Sequence, residues 1–230
     1  AMVGATLSGG CCFLWDWDLA LSLRSRHRIA GSFVGRRRHG STESAESVMP
    51  VVLMPEELCL SLENGWIDRT NVRTELKSSH ILSGPCDQAG EDAVSAESRM
   101  ISIPFVPHEC SLGQDMAIDF LEQYLKDATN CRRYRIYKDL WEKGYWISSG
   151  SKFGADFLIY PGDLRDCHAS HLVFVVESRD FELKLQDVVG MNRVAASANK
   201  RVAIAYIDSD DRPMYTVLSY VPHLSTARGV

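Results

Sequence analysis

Three consecutive stretches of the C-terminal half constrain the fold most. They are HLVFVVES (from His171), LKLQDVVGMNRVAASANK (from Leu183) and RVAIAYID (from Arg201). The first and third are short apolar runs rich in β-branched residues, which reads as two buried strands. The middle stretch has helical length, and its small residues let it lie close against a sheet. The stretches on either side extend the pattern. AIDFLEQYLKDATNCRRYRIYKDLWEKG spaces Phe120, Tyr124, Tyr134, Tyr137 and Trp141 as a helix does, and Gly144 is placed to stop it. YWISS and ADFLIYP read as strands around the turn GSKFG, and MYTVLSY as a final strand after the acidic turn DSDDRP. Helix, strands, helix and strands in this order predict a mixed α/β domain, with helices packed against a central mixed sheet.

The N-terminal part predicts a separate, smaller α/β unit. In DWDLALSLRSRH, Leu19, Leu21 and Leu23 alternate with small residues, which is a strand period. VMPVVLMPEELCLSLENGWI gives a short strand and then a helix. Pro55 takes the first helical position, Glu56 and Glu57 lie in the first turn, and Gly65 is placed to end it. GRRRHGSTESAES is a loop by composition. The predicted organisation is an N-terminal α/β domain over 1–74, a polar linker over 75–113, and a second domain over 114–230. At 230 residues with 45% hydrophobic content, the chain is long enough to bury a substantial core.

Charge and cysteines limit the classes of function. The net charge of −5 excludes a global basic field. Locally, Leu19 to Thr42 holds no acidic residue but contains Arg24, Arg26, Arg28, Arg36, Arg37 and Arg38, as either a solvated patch or a phosphate-facing one. Seven cysteines without a C-x-x-C pair do not form a disulfide framework and fit a reducing compartment. Asp16 and Asp18 follow the short apolar run near the start, and no basic segment precedes it, so no cleaved signal peptide is expected. Nor is a membrane span, since no apolar run approaches ~20 residues.

Chemistry concentrates at the strand ends. Tyr160 closes DFLIY ahead of the turn dipeptide Pro161-Gly162, His168 precedes HLVFVV, and Lys200 precedes RVAIAYI. Neighbouring strand ends would bring these three together. The set suits cleavage of RNA through its own 2′-hydroxyl, which needs a base, an acid for the leaving 5′-oxygen and a fixed cation for the phosphoryl charge. Each residue also has a plainer reading. A strand-end tyrosine is commonly packing, a loop histidine commonly lies at the surface, and Lys200 could offset a helix C-terminus. Asp163 and Asp166 read as residues that keep the loop wet. Cys167, His168 and His171 have a zinc-like spacing but lack a second ligand pair.

YKDLWEKGYWISSGSKFGADFLIYPGD, followed by HASH, resembles the catalytic-domain signature of tRNA-splicing endonuclease subunits. The Y-P-G-D form, with histidine eight residues after the tyrosine, is similar to the catalytic subunit assigned to the 3′ splice site. HRIAGSFVG and PVVLMPEELCLSLENGW resemble that subunit's N-terminal domain. Two places depart from the family's habit: Leu164 stands where proline is frequent, and Cys167 where an aromatic is frequent. The resemblance implies a restriction-endonuclease-like C-terminal fold, with Tyr160 as general base, His168 as general acid and Lys200 as the stabilising cation. It implies a nuclear, metal-independent enzyme without cofactor that cuts precursor tRNA, leaving a 2′,3′-cyclic phosphate and a 5′-hydroxyl. The implied partners are a second catalytic subunit and two structural subunits. Two alternatives stay open. One is a non-catalytic scaffold subunit of the same complex. The other is a metal-dependent nuclease using Asp163 or Asp166 with Glu177, a weak match because Arg179 replaces the expected lysine.

Overall fold

The computed structural model of the chain describes residues 5–8, 11–34, 49–69, 72–74 and 116–218. The predicted linker over 75–113 and the loop that holds Arg36, Arg37 and Arg38 lie outside the described residues.

The N-terminal part is built on a sheet of short strands: β1 (Ala5–Ser8), β2 (Cys11–Leu14), β3 (Ser32–Phe33), β4 (Val51–Leu53) and β5 (Val72–Thr74). Their order is β3-β4-β2-β1-β5, antiparallel throughout except for the parallel β1–β5 edge. Ala5, Leu7, Cys12, Leu14, Val51 and Leu53 alternate along the strands and turn one face into the core. Two helices complete this part, α1 (Trp17–His27) and α2 (Pro55–Glu63).

Helix α1 corrects the strand expected for DWDLALSLRSRH. Alternate leucines are compatible with either period over so short a stretch, and the termini decide. Asp16 caps the helix by accepting from the Leu19 amide at 3.0 Å. At the other end Arg28 is left-handed (φ 55°), and the Ile29 amide reaches back to the Leu23 carbonyl at 3.1 Å. Ala20 and Leu23 are buried while Leu21 is exposed, the result of a helical and not a strand repeat. Strands β1 and β2 were not anticipated, since four-residue strands carry little period. The start of α2 follows expectation: Pro55 is its first residue, and Glu57 reaches back to accept from the Met54 amide at 2.8 Å. Gly65 follows its end at φ 71°.

The C-terminal part has a second sheet, ordered β10-β9-β8-β7-β6. Its strands are β6 (Trp146–Ser149), β7 (Phe157–Tyr160), β8 (His171–Val175), β9 (Arg201–Ile207) and β10 (Pro213–Leu218). Only β8 and β9 run parallel, and α5 (Leu185–Ser197) connects them, so the sheet is mixed. The long helical stretch breaks in two, α3 (Met116–Lys126) and α4 (Ala128–Glu142). Asp127 supplies the break by capping α4, accepting from the Asn130 amide at 2.9 Å.

Alternation along the strands sorts their side chains onto two faces. Phe157, Ile159, Val173, Ala203 and Ala205 join the core that also holds Tyr134, Ile136, Tyr137 and Leu140 of α4. Leu158, Leu172, Val202 and Ile204 face the other way and pack with Ala195 and Met191 of α5. The sheet is therefore covered by helices on both faces, as the α/β reading expected.

The two sheets share a core. One buried cluster runs from Leu14, Leu53 and Leu58 through α4 to Ile147 and Phe157. Polar contacts fasten the same seam. The Trp141 indole donates to the His27 carbonyl at 2.7 Å, and Arg28 returns a bond to the Trp141 carbonyl at 2.8 Å with its guanidinium 4.7 Å from that indole's centroid. The His27 ring stacks on Trp66 at 4.0 Å. Buried Glu56 accepts from Arg133 at 2.9 Å and from the Tyr124 hydroxyl at 2.9 Å, and Arg133 also pairs with Asp156 beside β7.

Candidate active site

Strand register collects the predicted residues. Ile159 of β7 pairs with His171 of β8, and His171 with Arg201 of β9. The next step outward on all three strands reaches Tyr160, Ser170 and Lys200. The Ser170 amide donates to the Ile159 carbonyl at 2.8 Å, and the Arg201 amide to the Ser170 carbonyl at 3.0 Å. Tyr160 and Lys200 thus flank the Ser170 segment at two strand spacings, roughly 10 Å between backbones. His168 sits two residues before Ser170 on the central segment. The structure brings the three predicted residues to one end of the sheet.

Each has different surroundings. Tyr160 continues the face of Leu158, packs partly into the α5-side cluster, and lies 3.3 Å from the Ser148 hydroxyl of β6. Ser148 pairs with Leu158, so it shares that face. Lys200 donates to the Ala198 carbonyl at the end of α5 at 3.1 Å, and its ammonium lies 5.7 Å from the Phe153 ring centroid. The helix-end reading of Lys200 is therefore realised, and the ammonium still keeps further donors for a ligand. His168 is exposed.

The loop between Tyr160 and His168 is organised by Asp163. Its carboxylate accepts from the Arg165 amide at 2.9 Å and from the Arg165 guanidinium at 2.7 Å. Its carbonyl accepts from the Asp166 amide at 3.0 Å, the Cys167 amide at 3.1 Å and the Cys167 thiol at 3.2 Å. Asp163 is thus more than a wet loop residue: it folds 163–167 into a compact turn that returns the chain to His168. The Arg165 guanidinium holds its acidity at about 2, well below the usual carboxylate range. Cys167 contributes a bond inside the turn.

His171 is a strand residue. Ser170 Oγ donates to the Ile159 carbonyl at 3.2 Å, so its 2.9 Å contact with His171 Nδ1 is filled by an imidazole N–H. Burial, and then the charge of Arg201, lower the pKa of His171 from its ordinary value. Among the described residues no three His, Cys, Asp or Glu side chains converge as a metal cage. The acidic residues weighed for a metal-dependent nuclease do not meet: Asp163 follows the end of β7 next to the start of β8, whereas Glu177 lies beyond the end of β8.

The described part of the basic window mostly turns inward. Arg28 is fastened to Trp141, and Arg24 lies 3.7 Å from Asp163, while Arg26 is exposed. The contacts of Ser148 with Tyr160, Phe153 with Lys200 and Arg24 with Asp163 were not foreseen. They depend on register and on packing between the two parts, for which the sequence carries no local signal.

Comparison with known proteins matches residues 130–215 to the tRNA intron endonuclease, catalytic C-terminal domain, and residues 3–71 to the TSEN34-like, N-terminal domain. The chain is 40% identical to the tRNA-splicing endonuclease subunit Sen34 of Mus musculus over 88 residues, covering 38% of this chain and 28% of that protein. It is 39% identical to the Homo sapiens protein of the same name, with the same coverage. The tRNA-splicing endonuclease of Methanococcus vannielii is 34% identical over 96 residues, 41% of this chain and 54% of that protein. The chain therefore spans between about a quarter and just over half of the length of these curated relatives. No helix among the described residues is long and apolar enough to cross a membrane. The catalytic-domain match encloses Tyr160, His168 and Lys200, and the second match encloses strands β1 to β4 and both helices of the N-terminal part. On these grounds residues 130–215 form a tRNA intron endonuclease catalytic domain and residues 3–71 a TSEN34-like N-terminal domain.

Proposed function

We propose that this chain is a catalytic subunit of a tRNA-splicing endonuclease and cuts precursor tRNA at the 3′ splice site. The observation that carries this reading is the gathering of Tyr160, His168 and Lys200 at the ends of three neighbouring strands. In the proposed reaction Tyr160 takes the proton of the 2′-hydroxyl, whose oxygen attacks the adjacent phosphorus. The bond from phosphorus to the 5′-oxygen breaks as His168 protonates that oxygen, and Lys200 balances the charge on the non-bridging oxygens. The products are a 2′,3′-cyclic phosphate and a 5′-hydroxyl. No metal is required, because the attacking oxygen, the leaving group and the phosphoryl charge each have a side chain assigned. The separation of Tyr160 from Lys200 leaves room for a phosphodiester between them.

The relatives named as subunits support an assembly of several chains, and the family resemblance is what suggests a second catalytic and two structural subunits. The exposed face of edge strand β10 and the acidic turn before it are the contact surfaces we assign to those partners. A nuclear location rests on the family resemblance alone. The scaffold alternative is less well supported, because a scaffold has no need of all three residues at one sheet end.

The test is cleavage of precursor tRNA by the co-expressed complex in EDTA, with the end groups identified. The wild-type complex is expected to leave cyclic phosphate and 5′-hydroxyl ends. His168→Ala is expected to lose 3′-site cutting by roughly 10²-fold or more while the complex assembles normally. Unimpaired 3′-site cutting by that variant would overturn the assignment, and loss of wild-type cutting in EDTA would remove the metal-independent mechanism.

A further inference from the structure

Arg24 stands far from Tyr160, His168 and Lys200 in sequence, on the first helix of the N-terminal part. Its guanidinium nevertheless lies 3.7 Å from the carboxylate of Asp163, with the two side chains only 14% and 16% exposed. Three features fix it there. Its Nη1 donates to the Ala30 carbonyl at 3.4 Å, its guanidinium sits 5.6 Å from the Phe33 ring centroid, and its stem belongs to a capped helix. Its Nε is buried and finds no hydrogen-bond partner among the described residues. A guanidinium held with one donor unpaired is not placed for its own stability. The group it faces is Asp163.

Asp163 is the hub of the turn that leads from Tyr160 to His168. Its bonds to Arg165, Asp166 and Cys167 all stay inside the turn and shape it, but do not fix where the turn sits on the molecule. Arg24 supplies a charged anchor from outside the turn. We infer that Arg24 is a positioning residue: through Asp163 it holds the 161–168 turn, and with it His168, in register with Tyr160 and Lys200. The N-terminal part would then contribute to cleavage directly, by setting the place of the general acid. This rests on the proposed role of His168. An acid displaced by an ångström loses much of its rate advantage, which makes a 3.7 Å ion pair catalytically consequential even where its effect on stability is small.

The experiment uses the full chain co-expressed with its partner subunits, as wild type, Arg24→Met, Arg24→Lys, Asp163→Asn and the Arg24→Met/Asp163→Asn double variant. Hydrogen–deuterium exchange over 161–169 tests the anchor without reference to activity. Single-turnover 3′-site cleavage at saturating precursor tRNA, with RNA affinity measured separately, tests its consequence. Arg24→Met is expected to raise exchange in the turn, leave exchange in β8 and β9 unchanged, and slow cleavage about ten-fold with RNA affinity within two-fold. Arg24→Lys is expected to restore part of the rate, and the double variant to be no slower than Asp163→Asn alone. Unchanged exchange in Arg24→Met would overturn the inference. So would a fall in RNA affinity matching the fall in rate, which would make Arg24 a phosphate contact. A wild-type complex that does not cut would defeat the proposed function instead, while the exchange result would still decide whether Arg24 anchors the turn.

Discussion

A tyrosine at a strand end becomes useful to catalysis only when its hydroxyl is oriented, and Ser148 is the group placed to orient it. The two hydroxyl oxygens lie 3.3 Å apart on the same face of the sheet, one on an edge strand and the other on its neighbour. This contact is weak by distance, and a neutral hydrogen bond contributes about 1 kcal/mol net. Ser148→Ala is therefore expected to slow single-turnover cleavage about five-fold with RNA affinity unchanged. If Ser148 acts through Tyr160, the same substitution made in a Tyr160→Phe background has no further effect. Equal losses in both backgrounds would show that Ser148 acts elsewhere. At this scale, the catalytic roles of Tyr160, His168 and Lys200 are the proposal; their placement at one end of the sheet was legible in the sequence, because each stands next to a recognisable strand end. Ser148 was not, because only the pairing register of β6 against β7 puts it beside the phenol.

Elements were legible where length and punctuation agreed. The pair β6 and β7 around a glycine-bounded turn, the α2 start at Pro55 and the helix stop at Gly144 follow from local chemistry, and the structure has them. The segment over 16–27 has alternating leucines that suit a strand, but its caps make it a helix. Asp16, followed by an acidic first turn and ended by basic residues, is a helix signature that outweighs three alternating leucines. Strands β1 and β2 are too short to show a period and are recruited by pairing with β4 and β5. If the cap sets the helix, Asp16→Ala should destabilise the chain by about 1 kcal/mol, while Asp16→Asn should cost much less. Urea midpoints for the two variants check this, and equal losses would show that the carboxylate charge, not the cap bond, is what counts. Because α1 also carries Arg24, a frayed helix start should reach the turn at Asp163 through that residue.

On the scale of the whole molecule, the two sheets share one buried cluster through α4 and the tryptophan seam, while the C-terminal sheet buries a second cluster against α5. In sequence each part shows its own strands and helices, which is what predicts two domains. Their joint core depends on contacts between residues far apart in the chain. At the centre of the N-terminal contribution lies Glu57, 1% exposed, whose two oxygens accept from the Gly31 amide at 3.0 Å and the Met54 amide at 2.8 Å. Burial outweighs those bonds and, with the charge of neighbouring Glu56, pushes the Glu57 carboxyl up to about 7 from an ordinary 4.5. Between these values the folded chain holds a proton that the unfolded chain has released. The contribution of Glu57 to stability is therefore complete below about pH 4.5, declines as pH rises towards 7 and levels off above it, by on the order of 3 kcal/mol in total. His27 and His171 work in the opposite sense, since burial lowers both of their pKa values below the ordinary 6.5, so the wild-type profile alone mixes the three. Glu57→Gln isolates one of them. The amide keeps an acceptor oxygen and the side-chain length but cannot ionise. The difference in unfolding free energy between wild type and Glu57→Gln, taken from urea melts at pH 5, 6, 7 and 8, should move steadily against the wild type up to pH 7 and then flatten. A constant difference across that range would mean that Glu57 is already ionised in the folded chain and that its two backbone bonds outweigh its burial.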